Sequence, residues 1–283
     1  MTKGTNMTSL RVALAQVNAG PDRESNLTTA ERLLRRAADR GAELAVLPEF
    51  FGAYGPPDRM RAAAEPLNGP TATWARGIAT ALGIDLIAGS FVETADDGRH
   101  YNTSVHVGRD GDIRAVYRKI HLYDATLPGA ETRESDLFDH GSQAVVTTVA
   151  DGVGVGLSVC YDLRFPELYR SLADAPDVRL LVNVAAFPER TTRDHWPTLV
   201  RARAIENQSF MLACSQVGEH PWGRTSGGRS MICDPWGVVV AQAGDAVELV
   251  VSELDFDRQR WTREHLPALS SRRTFSPPAA LRS

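Results

Sequence analysis

Apolar residues recur along this chain in short runs, some alternating and some continuous, and the runs are separated by stretches with helical spacing. Residues 10–17 form the first run, LRVALAQV, which reads as a strand. Residues 26–40 then carry Leu33, Leu34 and paired alanines on one helical face, and Gly41 supplies a C-terminal stop. The unit repeats as a strand over 43–49 and a helix over 71–82. Strands are expected at 85–92, 102–107 and 113–119, the first pair separated by the turn-like ADDGRH. Residues 121–140 are rich in Gly, Pro and acids and read as a long loop, a kind of connection that is often functional. Strands 145–149 and 153–159 flank Asp151 and Gly152, a hairpin signal. Pro166 and Glu167 open the next helix, followed by a strand over 179–185, a helix over 195–208, a strand over 210–217 and a final group of short strands.

This alternation predicts an α/β protein in which sheets are sandwiched and faced by helices. Mixed hairpins and crossovers exclude a purely parallel barrel. No linker or low-complexity segment divides the chain, so one domain is expected over 10–273, with a disordered extension at 1–9 and a tail at 274–283. With 283 residues, 43% of them hydrophobic, a large single core is within reach. The 31 Lys and Arg against 35 Asp and Glu, net charge -4, offer no basic face for nucleic acid. The N-terminus has no apolar signal region, and no run reaches the roughly 18 apolar residues of a membrane span. Cys160, Cys214 and Cys233 are few, odd in number and widely spaced, as expected of reduced thiols in the cytoplasm.

Cys160 carries the most chemistry. In GVGLSVCYDLRFPEL an apolar strand stops at the thiol and turns into a charged, proline-broken segment. A cysteine at that corner is partly exposed, and the nearby helix N-terminus favours the thiolate. Taken alone, such a cysteine is more often a core residue. Two further residues change the reading. Glu49 follows the run LAVLP and Lys119 ends IRAVYRK, so each terminates an expected strand and projects past a sheet edge, where sites collect in layered α/β proteins. Singly, each is ordinarily a solvated surface charge. Together they are complementary: a carboxylate can take the thiol proton, and an ammonium with the Tyr161 N–H can hold the oxyanion formed when sulfur attacks a carbonyl or nitrile carbon.

LPEFF around Glu49, YRKIHLYD around Lys119 and CYDLRFPELYR around Cys160 resemble, in that order, the Glu-Lys-Cys motifs of the nitrilase superfamily of carbon-nitrogen hydrolases. NVAAFP, HWPTLVRARAIEN and GRSMICDPWG extend the resemblance from residue 10 to about 273. CYDLRFPEL, the RARAIEN segment and REHLPALSSRR are most similar to the branch of omega-amidases and deaminated-glutathione amidases. The resemblance implies a four-layer α-β-β-α sandwich of two mixed sheets, and subunits paired through helices as a homodimer or larger assembly. It also implies a supporting glutamate in the ES element, which maps to Glu134, with Glu131 as the alternative, because this chain reads Asp139, His140, Gly141 where the family usually shows Pro-Gly.

The implied activity is hydrolysis of a small carboxylate-bearing amide through a thioester, with no metal or organic cofactor; N-carbamoyl compounds and nitriles present related electrophiles. Arg164 and Arg193 are candidate partners for the substrate carboxylate. Tyr161, Tyr54 and Phe187, with Phe51 and Trp222, are candidates for the pocket. Other classes fare worse. The seven histidines show neither HxH nor HExxH, against a zinc hydrolase. GLSVC lacks the closing glycine of a serine-hydrolase elbow, and the TSGGRS segment reads as a turn before an apolar strand. A protein using Cys160 only as a sensing thiol would need neither Glu49 nor Lys119.

Overall fold

The computed structural model describes residues 7–127, 130–149 and 152–276; the outer parts of the expected extension and tail, and Asp151 of the expected hairpin turn, lie outside the described residues. The chain builds β1 (Ser9–Gln16), α1 (Arg23–Asp39), β2 (Leu44–Val46), α2 (Pro57–Ala62), α3 (Pro70–Leu82), β3 (Asp85–Thr94), β4 (His100–Val107) and β5 (Ile113–Arg118). A hairpin of β6 (Asp124–Leu127) and β7 (Ala130–Arg133) precedes β8 (Val146–Val149), β9 (Val153–Val159), α4 (Pro166–Ala173), β10 (Val178–Ala185) and α5 (Glu189–Asn207). The last elements are β11 (Phe210–Ser215), β12 (Val217–Glu219), β13 (Thr225–Gly227), β14 (Met231–Cys233), β15 (Val239–Gln242), β16 (Glu248–Asp255) and α6 (Phe256–His265).

Two six-stranded mixed sheets result, ordered β16-β1-β2-β3-β4-β5 and β15-β14-β11-β10-β9-β8. The period-2 alternation of strand side chains explains how they stack. On β1, Val12 and Leu14 join the apolar layer between the sheets, with Val46, Ile87, Val182 and Val184. Their neighbours Ala13 and Ala15 point the other way, against Leu33 and Leu34 of α1 and Ile78 of α3. α4 and α5 cover the second sheet through Leu168, Tyr169, Trp196 and Val200. With both faces of each sheet buried, inner strands such as β9 and β11 run nearly continuously apolar, while β3 and β4 bury polar residues such as Glu93, Asn102 and His106. This is the four-layer α-β-β-α sandwich. β16 returns from the end of the chain to pair antiparallel with β1, Ser9 opposite Asp255 and Gln16 opposite Glu248.

Differences from the sequence reading sit at the site. β2 is three residues long, not seven: Leu47 N still donates to the Ile87 carbonyl (3.0 Å), but Pro48 has no N–H to continue the ladder, and Phe50 adopts φ 56°. Glu49 is thereby lifted off the sheet edge. Gly89 on β3 makes room for this turn, since a Cβ there would fall on the Pro48 and Leu47 carbonyls. The expected loop over 121–140 contains the β6–β7 hairpin and a 3-10 turn at Glu134–Asp136. The helix after Cys160 is preceded by a 3-10 turn, Cys160–Arg164, because Phe165, standing before a proline, is held extended at φ -108°. α5 starts at Glu189 rather than at 195 and carries Pro197 inside it. The strand expected over 210–217 breaks at Gln216, and β12 pairs with β13 in a separate two-stranded sheet.

Candidate active site

Three strand ends converge. Glu49 follows β2, Lys119 follows β5, and Cys160 follows β9, on the turn between strand and helix. Cys160 has φ 47°, a left-handed conformation that an L-residue adopts at a cost and that clusters at functional corners. The turn is pinned by Asp162, which is fully buried. One Asp162 oxygen accepts from Val159 N (2.9 Å) and Tyr117 Oη (2.6 Å), the other from His121 N (3.0 Å) and His121 Nδ1 (2.7 Å). This one carboxylate ties the segment after Lys119 to the segment carrying Cys160.

Glu49, 1% exposed, is held on every side. Its Oε1 accepts from Asn102 Nδ2 (2.8 Å) and Lys119 Nζ (3.1 Å), its Oε2 from Ala186 N (2.7 Å), and its carbonyl from Gln216 Nε2 (2.9 Å). Lys119 is wholly buried and donates to both oxygens of Glu134, at 2.9 and 2.7 Å. Glu134 also accepts from Tyr123 N (2.7 Å). Glu131 stays at the cavity rim, paired with Arg133 at 2.8 Å, so Glu134 is the glutamate that meets the lysine.

The electrostatics follow from burial. The cost of leaving water would depress the Lys119 ammonium, but the charges of Glu134 and Glu49 outweigh it and raise Lys119 well above its ordinary value. Burial pushes Glu134 up, and Lys119 only partly pulls it back. Cys160 differs from expectation. Burial first, then the Glu49 charge, push its thiol well above the ordinary cysteine value, with Lys119 opposing. These effects favour a resting thiol over a thiolate, and the expected thiolate at a helix N-terminus is corrected accordingly: a 3-10 turn stands between Cys160 and α4. Cys214 and Cys233 are buried free thiols elsewhere, the latter pushed up to about 12 by burial.

Cys160, Glu49 and Glu134 open into a cavity of about 850 Å³, in the range of small-molecule sites. Its wall is aromatic. Phe50 stacks between Tyr54 (5.4 Å) and Phe138 (5.9 Å), and Trp222 meets Tyr54 edge-on at 4.8 Å. His220 backs Tyr54 at 4.7 Å; its Nδ1 donates to the Ala19 carbonyl and its Nε2 therefore accepts from Ser226 Oγ. Burial lowers its pKa, which keeps the ring neutral.

Of the pocket residues expected from sequence, Tyr54 and Trp222 line this cavity. The side chains of Tyr161, Phe187 and Arg164 are not on its wall. Phe187 is buried against Trp196 (5.1 Å), and Arg164 lies over the Tyr161 and Phe187 rings and reaches His195. Phe51 packs under α3 beside Trp74, and Arg193 is on the surface. The residues that sequence reasoning passed over are Asn102, Gln216, Asp162 and Arg224. A signal existed for the first three, as polar residues that interrupt or end runs belonging to buried strands.

A buried carboxylate, ammonium and thiol meet at the strand ends of a four-layer sandwich, the arrangement expected of a carbon-nitrogen hydrolase. A sequence model of that family, described as carbon-nitrogen hydrolase, matches residues 11–264, and the chain belongs to it. The chain is 38% identical over 269 residues to the human deaminated glutathione amidase, covering 93% of this chain and 82% of the relative. Saccharomyces cerevisiae Nit3, a member of branch 10 of the nitrilase superfamily, superposes with a TM-score of 0.85 at 29% identity, covering 94% of this chain and 97% of that one. A mutant of the amidase from Nesterenkonia sp. AN1, showing Michael addition of acrylamide at its active-site cysteine, superposes with a TM-score of 0.75 at 28% identity, covering 91% of this chain and 98% of that one.

Proposed function

We propose that this enzyme is an amidase that releases ammonia from a small carboxylate-bearing amide through a thioester on Cys160. The observation that carries the reading is the buried Glu49-Lys119-Glu134 cluster, whose carboxylates open with the Cys160 thiol into one cavity. The thiol proton passes to Glu49 as sulfur bonds to the amide carbon. That transfer neutralises one buried carboxylate as the negative charge moves onto the substrate oxygen, so the net charge of the site is unchanged and a high resting thiol pKa is no obstacle. The tetrahedral oxyanion is held by Lys119 and the Tyr161 N–H. Lys119 has two of its contacts on a single carboxylate, so one N–H can be redirected. Glu49 returns its proton to the leaving nitrogen, the C–N bond breaks and ammonia departs. Water, deprotonated by Glu49, then attacks the thioester; the C–S bond breaks, the thiol is reprotonated and the acid leaves. Glu134 keeps Lys119 charged and in place.

The name of the human relative supports amide hydrolysis, and the Michael adduct on the Nesterenkonia amidase supports a nucleophilic cysteine. The test of this reading is release of ammonia from alpha-ketoglutaramate, N-carbamoyl amino acids and simple nitriles, and release of cysteinylglycine, the leaving amine, from deaminated glutathione. Turnover of the carboxylate-bearing amides is expected; turnover of carbamoyl compounds alone would reassign the enzyme as a ureido hydrolase.

The enzyme acts as a homodimer in this reading. Ile205 of α5, Trp236 between β14 and β15, Trp261 of α6 and Leu266 just after it are each 44–50% exposed, with Trp236 and Trp261 in contact at 5.8 Å. Such a contiguous face on one side marks an interaction site. The expected solution mass is twice that of the chain, and Ile205→Asp with Trp261→Asp shifts it to monomer; a wild-type monomer at micromolar concentration would overturn the pairing. The free state of all three cysteines supports a cytoplasmic location.

A further inference from the structure

The cavity that holds Cys160 is lined by four arginines, Arg61, Arg133, Arg190 and Arg224. Three are engaged. Arg61 donates to the Asp136 carbonyl at 2.6 Å, Arg133 pairs with Glu131 at 2.8 Å, and Arg190 has an interaction of its own. Arg224 differs: its recorded side-chain contact is a single hydrogen bond to Thr132 Oγ1 at 3.2 Å, and among the described residues it has no carboxylate partner. A guanidinium beside an apolar wall with no anion of its own is matched to an anion that arrives with the ligand.

The backbone around it is fixed. His220 N donates to the Arg224 carbonyl at 2.7 Å and Gly223 N to the His220 carbonyl at 3.0 Å, with Gly223 at φ 81° closing the turn. This turn sits at the tip of the β12–β13 hairpin, which is bridged to the α5 entrance by Pro188 and Ser226. It holds Trp222 and Arg224 together over the cavity, and the Thr132 contact spans to the β6–β7 hairpin. The positive charge reaches into the site, since it acts on both Tyr54 and Tyr123.

We infer that Arg224 is the specificity-determining residue of this enzyme, binding the carboxylate at the end of the acyl chain remote from the scissile amide. The inference deepens the amidase reading and rests on it. It replaces Arg164 and Arg193 in that role, because neither lines the cavity. A substrate then spans from Cys160 on the floor to Arg224 at the mouth with its apolar middle against Tyr54 and Trp222, and a neutral amide of equal length lacks the outer anchor.

The test compares glutaramate with hexanamide as ammonia-releasing substrates for wild type, Arg224→Ala and Arg224→Lys. In Arg224→Ala the ratio of kcat/KM for the anionic over the neutral amide is expected to fall roughly 10- to 100-fold, the range for a hydrogen bond to a charged group. The loss should lie in KM rather than kcat, with Arg224→Lys partly restoring the ratio. An unchanged ratio, or equal losses on both substrates, overturns the inference. A second readout needs no turnover: glutarate should protect Cys160 of wild type from iodoacetamide and protect Arg224→Ala at least 10-fold less well. If wild type releases ammonia from neither amide, the functional reading fails, and this protection assay alone decides on Arg224; equal protection of both proteins overturns it.

Discussion

Cys160→Ala is expected to abolish ammonia release, with a loss on the order of 10⁴-fold or more, the scale seen when a covalent nucleophile is removed. The substitution deletes one atom at a residue that is 7% exposed and leaves Asp162, which organises the turn through four hydrogen bonds, untouched. The variant should therefore melt close to wild type, so the loss is chemical. Alanine has no side chain that needs to be held in the left-handed conformation, and it pays the same backbone strain as cysteine. Intact-mass measurement on wild type with a slow substrate should reveal an acyl adduct that the variant cannot form. Near-wild-type turnover by Cys160→Ala would remove the thioester mechanism altogether.

Lys119→Met is expected to lose activity to a similar degree and also to destabilise the fold by about 3–5 kcal/mol, the usual consequence of removing one partner of a buried ion pair. Lys119 neutralises two carboxylates at once, 3.1 Å from Glu49 and 2.7 Å from Glu134. Without it, both remain buried with like charges facing each other, and Glu134, already raised by burial, loses the opposing charge that pulls it back and rises further. The sign of the pH dependence follows. A group whose folded pKa lies above its unfolded value binds more protons in the folded state, so its stabilising contribution is present at low pH and is lost as pH rises through the folded value. The deficit in Tm of Lys119→Met relative to wild type should therefore shrink as pH is lowered from 7.5 towards 5.5. A deficit that is constant across that range would show that the lysine contributes packing rather than charge.

Much of the framework was legible because apolar periodicity and its stops are local properties. The strands from β3 to β5 and β8 to β10 lie within a few residues of their expected positions, and the three strand-end residues Glu49, Lys119 and Cys160 come together because each follows a strand of the same layered sandwich. The rest depends on distant partners. Whether Glu134 or Glu131 meets Lys119 is decided by the β6–β7 hairpin, whose short polar strands carry no apolar alternation. Glu49 is oriented by Asn102, Ala186 N and Gln216, residues 53, 137 and 167 positions away along the chain. The thiol was misjudged for a related reason: a sequence shows the helix after Cys160 but not the depth of burial or the neighbouring carboxylate, and those two terms control its proton. Arg164 stands four residues from the nucleophile yet turns onto Phe187, whereas Arg224, far along the chain, stands over the cavity.

The pairing of β16 with β1 bears on how the enzyme is made. Every register contact between them joins the first strand to residues 248–255, so a nascent chain leaving the ribosome carries β1 with an unmatched edge until those residues have emerged. Contacts of such long sequence separation slow folding and prolong the exposure of strand edges. Completion of the sandwich therefore waits for β16, and chaperone dependence should be concentrated in the interval before β16 emerges.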